Sequence, residues 1–234
     1  MQTTDQSWRY GIGARIVLGF LVAFMYGIAI LLFCIPALAG GTDPTGNAIM
    51  YVTGFIMAGF GLFLTFGLIA VARTRIALET NAGGTVLDAM VPGGHNLLLV
   101  PRLRAVRLPV AEIQSVERRQ EVARSFGLSS LRDALSVVTT NGERIGLFST
   151  ADTALIKLPL PAIAGAIAAA AGVAVTDDGT VVTKASGLYG EASSSWTEKP
   201  LDAPAANKAR RAAAVTLQIV VGLVMLTFVV RACS

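Results

Sequence analysis

Apolar and polar positions divide this chain into three regimes. Ile16–Ala39, Ala48–Ala72 and Ala212–Val230 run without a charged residue. A helix rising about 1.5 Å per residue needs about 20 apolar residues to cross a hydrocarbon core of roughly 30 Å. All three stretches qualify, the last only just, so three transmembrane helices are expected. The first exceeds the apolar core of a secretory signal, and a second follows almost at once, so it is read as a retained helix. A fourth uncharged stretch, Leu158–Thr176, is built mostly from Ala and Gly behind Pro159 and Pro161. It is read instead as a short soluble helix over 161–171 that buries Ile163 and Ile167 at i,i+4 spacing.

Between the second and third stretches the period changes. Short runs over Ile76–Thr80, Thr85–Val91, Asn96–Val100, Arg104–Leu108, Ile113–Val122, Ala134–Thr140 and Arg144–Ser149 have the content of β-strands. Pro92-Gly93-Gly94 marks a turn. Asn141-Gly142 between two β-branched arms is the strongest short hairpin signal in the chain. Ile113–Val122 mixes polar and apolar positions, as an edge or half-exposed strand would. The expected organisation is an N-terminal segment with a transmembrane hairpin over 1–72, a small β domain with its helix over 73–176, a flexible linker over 177–211 and a third transmembrane helix over 212–234. Within the linker, Asp177-Asp178-Gly179 before Thr180-Val-Val-Thr has the form of one more hairpin strand. The fold class is a membrane α+β protein, its β domain a small sandwich or partly closed barrel capped by one helix.

Charge orients the membrane segments. Arg9 and Arg15 precede the first, Arg73 and Arg75 follow the second, and Lys208, Arg210 and Arg211 precede the third, whereas the connection over 40–47 has no Lys or Arg. Lys and Arg favour the cytoplasmic side. The N-terminus and the β domain are therefore expected in the cytoplasm and the C-terminus outside, with Arg231 dissenting. None of the three stretches carries an ionisable side chain in its interior, the usual mark of an ion or proton pathway. Gly19, Gly27, Gly54, Gly59, Gly61 and Gly67 are read as close-packing positions between the paired helices.

Composition narrows the chemistry. The chain is 53% hydrophobic and 15% charged, with a net charge of +4. Acids and bases are nearly balanced in the middle segment, unlike a nucleic-acid footprint. Cys34 and Cys233 have neither metal nor redox spacing. His95 is the single histidine, which excludes a Ser-His-Asp triad built on any other histidine, and a two-histidine metal site within one chain. Neither a phosphate-binding Gly-x4-Gly-Lys-Ser/Thr loop nor a dinucleotide fingerprint occurs. Glu112, Glu117 and Glu121 lie beside Arg118, Arg119 and Arg124 and are read as solvated, mutually compensating charges. Lys157 and Lys184 with the many serines leave a Ser-Lys dyad formally open. No catalytic residue, cofactor or metal is expected.

Arg107-Leu-Pro-Val-Ala-Glu-Ile-Gln-Ser-Val-Glu, with Pro109, Ile113 and Val116 at their spacing, resembles a strand-opening segment of bacterial pleckstrin-homology-like membrane proteins. Gly127 to Ile145 is similar to that family's later strand pair, and the paired helices match its layout. The resemblance covers roughly 75–173; the third helix and the long tail depart from it. It implies an interaction and oligomerisation module, sometimes linked to assembly of membrane complexes, with no lipid-headgroup motif at matching positions. The expectation is thus a non-enzymatic inner-membrane scaffold whose partners are the bilayer and either another protein or a second copy. The alternative is a module sensing anionic lipid through Arg73, Arg75, Arg102, Arg104 and Arg107. A membrane enzyme ranks below both.

Overall fold

A computed structural model describes residues 6–38, 43–96, 100–125, 128–151, 158–183, 196, 198–215 and 218. The elements run β1 (Gln6–Arg9), α1 (Ile12–Leu38), α2 (Pro44–Arg73), β2 (Arg75–Asn81), β3 (Gly84–His95), β4 (Pro101–Pro109), a 3-10 turn (Val110–Glu112), β5 (Ile113–Ser125), β6 (Leu128–Thr139), β7 (Arg144–Ala151), α3 (Leu160–Ala171) and β8 (Val175–Thr183). A further helix, α4, occupies 203–215.

Helices α1 and α2 have 27 and 30 residues, and only 11% of the most apolar window of each is buried inside the protein. A core helix of a soluble domain would be mostly covered. These two are long and apolar enough to cross a membrane. Asp43 caps α2, its carboxylate accepting from the backbone N–H groups of Thr45 at 3.0 Å and Gly46 at 3.1 Å, with Pro44 in the first turn. The pair packs by aromatic rings set against glycine. Phe33 lies 3.1 Å from where a Cβ on Gly54 would stand, and Tyr26 the same distance from that of Gly61. The Tyr26 and Thr65 hydroxyls meet at 3.4 Å. Gly19, Gly27, Gly59 and Gly67, expected in the same role, face open space. Of the third apolar stretch, 212–215 continue α4, and the remainder lies almost wholly outside the described residues.

Among the described residues the strands form two four-stranded sheets, ordered β1-β2-β3-β4 and β7-β6-β5-β8. All pairings are antiparallel except β5 with β8. One core joins them: Ile76, Leu87 and Val91 from the first sheet, Val116, Leu135, Val137 and Phe148 from the second, and Leu160, Ile163 and Ile167 from α3, all fully buried. Helix α3 starts behind Pro159 and stops at Gly172, whose φ of 68° only glycine adopts readily, with Val173 N–H closing back on Ala168 O at 3.0 Å. The Asn141-Gly142 turn joins β6 to β7 as expected, with Gly142 at φ 78°.

Two expectations change and a third is narrowed. Pro92-Gly93-Gly94 is not a turn: β3 runs through it to His95, with an irregular register between Pro92 and His95. Of the strand expected at Asn96–Val100, residues 97–99 lie outside the described residues, and Asn96 N–H bonds to Val100 O at 3.1 Å. β5, expected at an edge or half-exposed, is half-exposed but central in its sheet, because β8 pairs along its other side. The range 177–211, expected as a flexible linker, holds most of β8 and α4, while 184–195 and 197 lie outside the described residues.

The helical pair is not loosely tethered. Thr74 alone separates α2 from β2; it is buried, and its Oγ1 donates to Ala70 O at 2.7 Å. Tyr10, Ala14, Leu18 and Val71 belong to the same core as the sheets, and the Tyr10 ring meets Phe148 edge-on at 5.7 Å between centroids.

Candidate functional site

The five arginines expected at the membrane surface do not form one face. Arg73 ends α2, exposed. Arg75 is ion-paired with Asp88 at 2.6 Å, and Asp88 stands opposite Arg107 in register, so these three share one side of the first sheet. Arg102 and Arg104 alternate with Arg107 along β4 and therefore point to the other side. There Arg104 Nη2 donates to Gly146 O on β7 at 2.6 Å.

Sequence reasoning missed a second charged constellation, on β5. Arg119 and Glu121, expected to be solvated, are 2% and 1% exposed. Arg119 donates to Glu121 Oε1 through Nε at 2.9 Å and Nη2 at 2.7 Å, and to Glu198 Oε2 through Nη1 at 3.1 Å. The Trp196 ring lies 4.3 Å from the Arg119 guanidinium carbon and 5.6 Å from that of Arg144. Arg144 in turn donates to both oxygens of Glu117, at 2.7 and 3.1 Å. That bond raises the pKa of Arg144, and burial, helped by the Glu117 charge, raises that of Asp178. The other side of this face is the chain's own Trp196 and Glu198, with the chain after them tied down where Leu201 N–H donates to Thr180 O at 2.8 Å.

Beside it opens a polar cavity of about 250 Å³. β5 supplies Arg118, Arg119 and Gln120, β6 supplies Asp133, β8 supplies Asp177 and Gly179, and α4 supplies Arg210. Gly179, at φ 73°, sits in the irregular register where β8 carries one extra residue against β5. Asp177 accepts from Arg118 at 2.7 Å and from Gly179 N–H at 3.0 Å; Arg118 chiefly, with Arg210 adding its field, holds the carboxyl below its ordinary pKa. Arg210 Nη2 donates to Thr180 Oγ1 at 3.0 Å, which lies 3.4 Å from Gln120 Oε1, and Gln120 Nε2 lies 3.4 Å from Asp133 Oδ1. Helix α4 is set in place by Asp202, whose Oδ1 accepts from Ala205 N–H at 2.8 Å, and by the buried Ala206, Ala209 and Ala213. The signal in the sequence was Asp177-Asp178-Gly179 ahead of a β-branched run; the parallel partner was not legible.

Glu112 is exposed in the 3-10 turn, and His95 ends β3 opposite Pro101. Cys34 is exposed on α1. Lys157, Lys184 and Cys233 lie outside the described residues. Among the described residues no three His, Cys, Asp or Glu side chains gather as a metal site. Comparison with protein-family models, curated proteins and solved structures finds no match to this chain.

Proposed function

We propose that this protein is a non-enzymatic scaffold of the inner membrane, presenting a pleckstrin-homology-like β domain on the cytoplasmic side to a protein partner or to a second copy. The observation that carries this reading is the shared core of helix pair and sheets. Tyr10, Leu18 and Val71 pack with the β domain, so the domain is held at a fixed attitude to the helices rather than on a tether. A fixed attitude suits a docking platform, because a partner meets a surface whose orientation costs no entropy to set. Two antiparallel meanders, β2-β3-β4 and β5-β6-β7, closed by α3 support the pleckstrin-like comparison. The distribution of Arg and Lys around the apolar stretches supports the cytoplasmic placement.

Recovery of the tagged full-length protein from its native membrane in mild detergent, followed by mass spectrometry and cross-linking, tests the scaffold reading. A stoichiometric partner, or a defined homo-oligomer, lost when 75–173 is deleted, is the expected result. A monomer recovered alone would refute it. A second reading, contact with anionic lipid, is favoured by Arg102 and Arg104. Arg75, Met90 and Ala105 lie in one row across the sheet, so these two stand beyond it on the side where β4 packs on α2. Replacing both by Gln should then weaken the salt-dependent effect of anionic lipid on the protein.

A further inference from the structure

We infer that the cavity between β5, β8 and α4 is a binding site for a phosphate ester whose remaining part carries hydroxyl or ammonium donors. Guanidinium forks match phosphate oxygens in geometry as well as charge. The cavity receives them from two independent elements, Arg118 on β5 and Arg210 on α4, across a space of about 250 Å³. Arg119 is committed, its donors taken up by Glu121 and Glu198. The other two are open to exchange. Arg210 spends its Nη2 on a neutral hydroxyl, Thr180 Oγ1. The Arg118–Asp177 pair is 32% and 54% exposed, and an ion pair so solvated is worth little, so the anionic oxygens of a phosphate mono- or diester can take Arg118 over. The acids also have a place in the recognition. Asp133, on the far side of Gln120, is an acceptor for a hydroxyl or ammonium donor on the ester's remaining part.

The position of Arg210 says where such a ligand is met. It stands two residues before the apolar stretch that opens at Ala212, on a helix continuous to 215, about 3 Å along the axis. If that stretch enters the bilayer, as the scaffold reading holds, the cavity mouth lies at headgroup level. The same chemistry is offered by a phospholipid headgroup and by a soluble phosphate ester, and the two are separable by experiment.

The full-length protein is placed in nanodiscs of neutral phosphatidylcholine and titrated with glycerol 3-phosphate, followed by calorimetry and by Trp fluorescence. Separately, its thermal unfolding is compared between neutral nanodiscs and nanodiscs containing phosphatidylglycerol. Arg210→Gln, at an exposed helix position, and Asp133→Asn probe the cavity, and the double variant Arg102→Gln/Arg104→Gln controls for attraction to any basic surface. Saturable binding of glycerol 3-phosphate weakened about tenfold or more by Arg210→Gln, but not by the control, supports the site with a soluble ligand. Stabilisation by phosphatidylglycerol alone, lost in Arg210→Gln and kept in the control, supports the site with a lipid ligand. Binding in the first arm without a lipid effect upholds the cavity while counting against its level at the membrane. Absence of a saturable response in both arms, or responses that Arg210→Gln leaves at wild-type strength, overturns the inference.

Discussion

Replacing Arg119 by Met should be among the most damaging single changes in the β domain, and replacing Glu121 along with it should restore much of the loss. Arg119 and Glu121 are 2% and 1% exposed and share two hydrogen bonds. Arg119→Met leaves the Glu121 carboxylate buried without its cation, a loss of about 3–5 kcal/mol for a broken interior pair. It also removes the cation from the Trp196 face, about 1 kcal/mol more, partly offset by the packing of the Met side chain. Glu121→Gln is milder, about 1–2 kcal/mol, because the amide oxygen still accepts and Glu198 still holds Nη1 at 3.1 Å. Arg119→Met/Glu121→Leu removes both charges at similar volume. It should be more stable than Arg119→Met alone, with a coupling of at least about 2 kcal/mol. Pulse proteolysis of the full-length protein across a urea series in mild detergent reads these differences. A cost for Arg119→Met below about 0.5 kcal/mol, or a double variant whose loss equals the sum of those for Arg119→Met and Glu121→Leu measured singly, would show a solvated pair and refute the buried-pair argument.

The remaining predictions concern the helix pair, the shared core and pH. Gly61→Val should lower the melting temperature through overpacking against Tyr26, about 1–3 kcal/mol, while Gly59→Val, with open space around it, should not; equal effects in thermal unfolding would undo the ring-on-glycine account. Tyr10→Ala should cost about 3 kcal/mol and raise hydrogen exchange together in the first turns of α1 and in β7, since Tyr10 joins them through Phe148; exchange raised in α1 alone would mean the domain is not coupled to the helices. Asp177 and Asp178 should act oppositely with pH. The lowered pKa of Asp177 gives stability present above the ordinary carboxylate range and lost as pH falls through its folded value. The raised pKa of Asp178 gives a contribution present in acid and lost as pH rises through its folded value. Asp177→Asn should therefore cost stability at pH 7 and little in strong acid, and Asp178→Asn should improve stability at pH 7, each by less than about 1 kcal/mol because both groups are solvent-screened. Denaturation midpoints at pH 3 and pH 7 with the same sign for both variants would contradict this.

The sequence by itself determined whatever depends on neighbours along the chain. Two apolar helices, the Asn141-Gly142 hairpin and a short helix burying Ile163 and Ile167 all follow from periodicity and turn chemistry. Alternation along β4 was equally local, and it is what splits Arg107 from Arg102 and Arg104. Only the tertiary structure decided the rest. Nothing in the mixed pattern of β5 says that β8 will lie parallel along it, because a parallel partner returns from a distant part of the chain through α3. That pairing made β5 central, and Trp196 and Glu198 then helped turn Arg119 and Glu121 from apparent surface charges into a buried pair. The same pairing, with α4 folded back on Thr180, built the cavity from residues 118 to 210. Desolvation and cavity shape belong to the packed molecule, since each depends on atoms that sequence separation cannot bring into view.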